Sequence, residues 1–440
     1  MYTYKQIGSV SYPIFLSLLA QNIINVTNTA FLGHVGEVEL GASAMGGLFY
    51  ICAFTIAFGF STGSQILIGR RNGEQKYAQI GPVMIQGVFF LFILAGVLFG
   101  FSRLFTEDLM RLMISSDILL DKTIDFLDIR VFGFFFSFMN VMFRALFVGI
   151  TRTKILTTNA ILMAVTNVIL DYVLIFGKWG FPEMGIKGAA IGSVAAEIIS
   201  ILFFVIYTYK KVNLEKYGLN KLRAFDWGLL KKILSISIFT MIQYFVSMST
   251  WFMFFIAVER LGQRELAVAN IVRSIYMVLF IPINSFSTTT NTFVSNTIGA
   301  GYTEKVLPTI KKIAKLSFVF MACLSVIVCL IPRALVSIYT NDPALIDASV
   351  PSLFVISAAM LVCSVGSITF SGVSGTGNTR SALILELTTL SFYVVYLYFI
   401  AIHKRMPVEI CFTTEFVYYT GLLILSTIYL KKAKWQNKKI

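Results

Sequence analysis

Residues 166–177 read TNVILDYVLIFG, a run of Val, Ile and Leu interrupted by one aspartate, Asp171. Without Asp171 the stretch is a slice of membrane helix. With it, the stretch sets a problem, because a carboxylate in hydrocarbon is costly and is kept where it does something. The surrounding chain decides which reading holds. Of its 440 residues, 57% are hydrophobic and only 13% charged, with a mean hydropathy of +0.80. Soluble domains run at about 25% charged. Apolar runs recur along the whole chain, many reaching the roughly 20 residues that a spanning helix needs. The alternating period of barrel strands is absent, so spanning α-helices are the reading.

Hydropathy places helices at 7–33, 40–69, 80–102, 126–150, 155–177, 188–209, 233–258, 267–298, 314–332, 350–374, 381–402 and 410–430. The fold class expected is an all-α polytopic membrane protein of twelve transmembrane helices. The first apolar stretch is too long, and too interrupted by Gln21, Asn25 and Asn28, for a cleavable signal peptide. Five cysteines lie in apolar segments without metal-ligand spacing, which argues against a disulfide framework or a zinc site.

The net charge of +14 suggests nucleic acid until its distribution is followed. Connections alternate between basic ones (RRNGEQK at 70–76, TRTK at 151–154, the 210–232 segment, 305–315 and the tail 431–439) and acidic ones such as 106–125. Most of the 36 Lys and Arg fall on the side of the termini, and most acids fall on the other. Arg144 and Arg273 are the cations assigned to spans. The positive-inside rule then puts both termini in the cytoplasm and makes the basic loops topology signals, with no nucleic-acid role.

Sliding the sequence by 226 residues aligns 31–87 with 257–313 without a gap, pairing Gly36 with Gly262, Glu39 with Glu265, Tyr50 with Tyr276, Phe60 with Phe286 and Pro82 with Pro308. The same offset pairs Gly149, Thr153 and Lys154 with Gly375, Thr379 and Arg380. Six spans separate equivalent positions, so the halves share one orientation, related by a pseudo-two-fold axis along the membrane normal, as in transporters whose halves rock against each other. The expected organisation is an N-terminal six-helix lobe over 1–209, a cytoplasmic linker over 210–232 and a C-terminal six-helix lobe over 233–440.

PIFLSLLAQNIINVTNTAFLGHVGEVELGA (13–42), NVILDYVLIFG (167–177), MGIKGAAIGSV (184–194) and GVSGTGNTR (372–380), in that order and spacing, resemble the multidrug and toxic compound extrusion (MATE) family. The resemblance implies two six-helix lobes around a central cavity that export organic, often cationic, compounds against H⁺ or Na⁺ entry, in a bacterial cytoplasmic (inner) membrane and as a monomer. It also implies that Asn167 and Asp171 match an Asn-x-x-x-Asp pair on the fifth helix, and that Pro13 matches a proline at which the first helix bends. Two departures stand out. Asn28 occupies a position where many prokaryotic members carry an aspartate, and the seventh and tenth spans lack the acids of other members, so a C-lobe cation site is not carried over.

Taken on their own spacing, Asn167 and Asp171 lie four apart and share a helix face. Gln21, Asn25 and Asn28 form one polar stripe on the first span. Both stripes are expected to face inward, with Asp171, Asn167, Asn28 and Glu197 as the ion-coupling set and Asn28 as the partner of Asp171 that the resemblance suggests. The rival is a hydrogen-bonded Asp171 that locks helices together, and Glu197 divides evenly between a shared cation and a structural role. Gln21, Asn25, Gln243, Ser247, Asn284 and Asn291 are candidates for lining a substrate cavity, and Pro13 and Pro282 for hinges. Glu386 and Glu415 sit near helix ends, where snorkelling is cheap. No metal site is expected beyond Na⁺ at Asp171, and no cofactor beyond the coupling ion, H⁺ or Na⁺.

No G-x-x-x-x-G-K-[ST], H-E-x-x-H or catalytic triad spacing occurs, so enzymatic activity has no support. The reading is therefore an ion-coupled antiporter for small organic, cationic compounds working by alternating access. The alternatives are a flippase for lipid-linked sugars or cell-envelope precursors, and a channel or scaffold. A flippase for large anionic headgroups would call for several cavity-facing Lys or Arg, and few are on offer.

Overall fold

Leucine, isoleucine, phenylalanine and alanine dominate every long segment, and in the computed structural model they form helices without exception. The structure describes residues 2–220 and 225–436; Lys221 and Arg223 of the 210–232 segment and Lys438 and Lys439 of the tail lie outside the described residues. In chain order the helices are α1 (Tyr4–Val35), α2 (Glu37–Gly73), α3 (Ile80–Met113), α4 (Asp117–Arg130), α5 (Gly133–Gly149), α6 (Lys154–Ile175), α7 (Ile186–Lys211), the single turn α8 (Leu214–Tyr217), α9 (Trp227–Glu259), α10 (Gln263–Gly299), α11 (Val306–Leu330), α12 (Pro332–Val336), α13 (Pro343–Gly375), α14 (Thr379–Leu397), α15 (Val408–Cys411) and α16 (Thr414–Lys432). There is no strand among the described residues.

Eleven of these, counting short flanking turns with their helices, are long and apolar enough to cross a membrane by themselves, and the α4–α5 pair makes a twelfth span bent by 53°. Twelve spans are as hydropathy predicts; the bend is not. Hydropathy merges the fourth span into one helix at 126–150 and leaves 106–125 as a loop. In the structure α3 runs on to Met113, and α4 starts at Asp117 behind the Ser116 cap, whose hydroxyl accepts from the Leu119 amide. Hydropathy sees only apolar surface, whereas the polar turns at 106–130 are helical because their hydrogen bonds are local and their caps are present.

The chain divides into two compact units, one formed by residues 16–241 and the other by residues 1–15 with 242–440. Both breaks fall inside helices, α1 and α9, and they lie one repeat length of 226 residues apart. In the 16–241 unit, Ser237 and Thr240 of α9 donate to the carbonyls of Phe60 (3.1 Å) and Gly59 (2.7 Å) on α2. In the other unit Ser285 of α10 donates to the carbonyl of Ser11 on α1 at 2.5 Å. At the repeat offset Ser11 is the counterpart of Ser237, and Ser285 of Gly59. Each unit thus takes the first turns of the other half's opening helix.

Candidate functional site

In the 16–241 unit, Asp171 lies on α6 with none of its surface exposed, and Asn167, one turn earlier, is 1% exposed. The four-residue spacing puts both on the face that packs against α7. That packing needs a glycine: a Cβ at Gly192 would lie 2.1 Å from Asp171 Oδ1. Burying this carboxylate is tolerable only because donors converge on it. The Asn28 amide is oriented by its surroundings so that its nitrogen donates to Asp171 Oδ2 at 2.5 Å, Asn167 Oδ1 at 2.8 Å and the Ile24 carbonyl at 3.1 Å. Asn167 Nδ2 lies 3.5 Å from both Asp171 Oδ1 and Ser193 Oγ. The structure therefore gathers Asn28, Asn167 and Asp171 into one cluster. Gln21 and Asn25, from the same stripe of α1, are exposed and stand apart from it.

Glu197, on α7, is 4% exposed and has a fixed cation. Arg130, the last residue of α4, forms a two-pronged pair with it, Nη2 to Oε1 at 2.7 Å and Nη1 to Oε2 at 3.1 Å. The guanidinium stacks 3.6 Å from the Tyr50 ring centroid, and the Tyr50 hydroxyl lies 2.8 Å from Ser137 Oγ and 3.2 Å from Glu197 Oε1. Gly133, just past the α4–α5 break, makes room for the pair, since a Cβ there would lie 2.1 Å from Arg130 Nη1 and 2.5 Å from Glu197 Oε2. Arg130 falls within the 126–150 span by hydropathy, whereas the charge distribution counts it with the outer loops; in the structure it is buried against Glu197 beside the α4–α5 bend. The one available signal was positional, an arginine within the apolar 126–150 run.

In the other unit two more carboxylates turn inward rather than snorkel. Glu386 on α14 is 2% exposed and accepts from Ser247 on α9 (2.6 Å) and Tyr418 on α16 (2.5 Å). Glu415 on α16 accepts from Tyr276 on α10 at 3.2 Å, and the Tyr276 and Tyr419 hydroxyls are 2.9 Å apart. Among the described residues neither forms an ion pair. Ser247 is thereby placed beside an acid. Gln243 and Asn291 are buried, with Gln243 Oε1 and Asn291 Oδ1 accepting no hydrogen bond among the described residues, whereas Asn284 is exposed. Pro13 and Pro282 lie inside helices α1 and α10 and are buried. Arg273 of α10 sits over the Trp251 and Phe255 rings, 5.7 and 5.3 Å from their centroids.

No cluster of three or more His, Cys, Asp or Glu suited to a metal occurs among the described residues. A carboxylate flanked by two side-chain amides, Asp171 with Asn28 and Asn167, suits an exchangeable proton or a small hard cation better than a soft metal.

The family model described as MatE matches residues 13–173 and 237–399. Curated relatives include the "Probable multidrug resistance protein NorM" of Thermotoga maritima, 26% identical over 392 residues that cover 88% of this chain and 83% of that protein. The "Probable multidrug resistance protein YoeA" of Bacillus subtilis is 23% identical over 335 residues, covering 75% and 72%. Among solved structures, an outward-facing multidrug resistance MATE family transporter of the MOP superfamily superposes with a TM-score of 0.87 at 18% identity, over 96% of this chain and 93% of that one. A MOP superfamily transporter from Pyrococcus furiosus gives 0.87 at 19% identity, over 98% and 97%.

Proposed function

The chain belongs to the MatE family of multidrug efflux transporters, and from that premise we propose that it exports small organic, cationic compounds in exchange for H⁺ or Na⁺ by alternating access. It is a multi-pass membrane protein and not an enzyme. The observation that supports the coupling is the fully buried Asp171 with Asn28 and Asn167 as its neutral donors. A carboxylate so placed exchanges its amide hydrogen bonds for a proton or Na⁺ at little geometric cost, and losing its charge changes how tightly α1, α6 and α7 hold together. Occupancy from outside favours the state that releases drug outward, through bending of α1 at Pro13; the emptied carrier reopens to the cytoplasm. One charge crossing the membrane supplies about 2.3 kcal/mol per 100 mV. Because Asn28 stands where an acid is usual in the resemblance, the cluster offers a single titratable group and so one H⁺ or one Na⁺ per cycle. Glu197, paired with Arg130, holds that cluster's surroundings in place. The protein works as a monomer in the bacterial inner membrane, with both termini in the cytoplasm.

The test is ethidium or norfloxacin efflux from an exporter-deficient bacterium expressing either this protein or Asp171→Asn at equal membrane abundance. The wild type is expected to extrude the compound, and the variant to lose at least about tenfold of that rate. Undiminished efflux by the variant would make Asp171 structural. A well-expressed wild type that moves none of a panel of cationic compounds would overturn drug export itself.

A further inference from the structure

The two halves share a second-span tyrosine that hydrogen-bonds a glutamate of the sixth span, Tyr50 with Glu197 and Tyr276 with Glu415. What covers that unit differs. In the first half, the guanidinium of Arg130 lies on the tyrosine ring and pairs with the acid. At the repeat offset of 226, the position of Arg130 is taken by Ile356. Beside Tyr276, Ile356 and Glu415 there is instead a small open pocket walled by Trp251, Phe254, Phe255 and Phe412, with Arg273 on its lining. The same offset sets Trp251 and Phe254 opposite Asn25 and Asn28, so one face of the opening helix is polar in the first half and aromatic in the second.

We propose that this pocket, within the unit of residues 242–440, binds the cationic head of a transported organic cation, a guanidinium or an amine, with Glu415 as counter-ion and the faces of Trp251, Phe254, Phe255 and Phe412 as walls. The proposal rests on the export reading above and names where the cargo's charge is held. The first half supplies the template: carboxylate, tyrosine and guanidinium in one stack, an arrangement that aromatic rings and a bidentate acid favour. While Arg273 stays in place the enclosed part of the pocket is only water-sized, so it admits no more than the charged end of a ligand, and only once Arg273 has moved, the rest staying outside. Arg273 is a tethered occupant: its guanidinium already lies over Trp251 and Phe255. A ligand must displace it, which sets selectivity toward cations that stack better than it does.

The experiment is isothermal titration of benzylguanidinium into the purified full-length protein in lipid nanodiscs. Saturable binding is expected in the wild type, weakened about tenfold or more by Glu415→Gln and tightened by Arg273→Ala, which empties the rings. Should Glu415→Gln not fold, Trp251→Leu removes a wall and carries the same expectation of loss. Binding unchanged by these losses, or weakened by Arg273→Ala, would overturn the site, the latter by showing that Arg273 helps to hold the ligand. Gly100→Ala, on α3 and outside both sites, is expected to leave the titration unchanged. Binding that persists in a protein that exports nothing would sink the transport reading alone, and export without Glu415-dependent binding would sink the pocket alone.

Discussion

Arg130 and Glu197 form a charge pair whose side chains are only 13% and 6% exposed. Such a pair contributes little net stability, because desolvation offsets attraction, but breaking it by removing one partner strands the other. Arg130→Ala is expected to cost about 3–5 kcal/mol, read as a large fall in melting midpoint in detergent. The double variant Arg130→Met with Glu197→Met is expected to recover most of it by leaving no buried charge. A single variant as stable as the wild type would show that water reaches Glu197 and that the pair is dispensable. The contrast with Asp171 is instructive. Its spacing from Asn167 is visible in the chain, since both lie on one helix, and so is the oddity of an acid in an apolar run. Its second partner, Asn28, is singled out only by the family resemblance, and Arg130 is signalled by nothing more than its position in the 126–150 run, its place against Glu197 depending on the α4–α5 bend. Glycine, too, is silent until its neighbour is known: Gly192 matters through the oxygen of Asp171 that it admits.

At the scale of elements, hydrophobic runs sufficed to locate every spanning helix, because in lipid the backbone has no other way to satisfy its polar groups. They fail where a helix is polar, as at α4, while the span read at 381–402 takes in most of the π-helical turn Tyr398–His403 that closes α14. Packing between helices was also out of reach, since it depends on which small residues meet. Gly59 and Gly63 of α2 lie against the backbone of α9: a Cβ at Gly63 would sit 2.3 Å from Ser237 Oγ and 2.6 Å from its Cα, and one at Gly59 would sit 2.6 Å from the Met241 Cα. No rotamer change relieves a clash with backbone. Gly63→Ala is expected to push α9 off α2 at a cost of about 1–3 kcal/mol, as overpacking does, and to lose the hydrogen bond from Ser237 to the Phe60 carbonyl. Gly100→Ala, on α3 with nothing within 4 Å of the added carbon, is the matched control. It is expected to be neutral or mildly stabilising, by helix propensity. Equal melting midpoints for the two variants would show that α2 and α9 are not in this close contact.

At the scale of the whole molecule, charge and repetition carried the reading. The 226-residue repeat is legible from scattered identities, and the structure extends it: the breaks between compact units fall at the same offset in α1 and α9, and each opening helix is hydrogen-bonded there to a second helix, α1 to α10 through Ser11 and Ser285 and α9 to α2 through Ser237 and Phe60. A linear division at 1–209, 210–232 and 233–440 follows topology, whereas the compact units exchange their first helical turns; hydropathy cannot distinguish these, because a helix that starts in one unit and ends in the other is equally apolar throughout. Of the two crossing helices only α1 has a proline near the break, Pro13; its counterpart at the offset is Phe239. Orientation rests on the excess of Lys and Arg on the side of the termini, and it can be tested directly. In a variant whose exposed Cys52, Cys323 and Cys329 are replaced by serine, a single cysteine is placed at Trp179, 77% exposed after α6, or at Tyr302, 52% exposed after α10. A membrane-impermeant maleimide added to intact cells is expected to label position 179 and to reach position 302 only after permeabilisation. The loop at 302 adjoins the basic 305–315 segment, which the positive-inside rule holds in the cytoplasm. Labelling of 302 in intact cells, with 179 protected, would invert the whole topology. Asp171 would then load its ion from the cytoplasmic side, and the proposed antiport would run against the gradient meant to drive it.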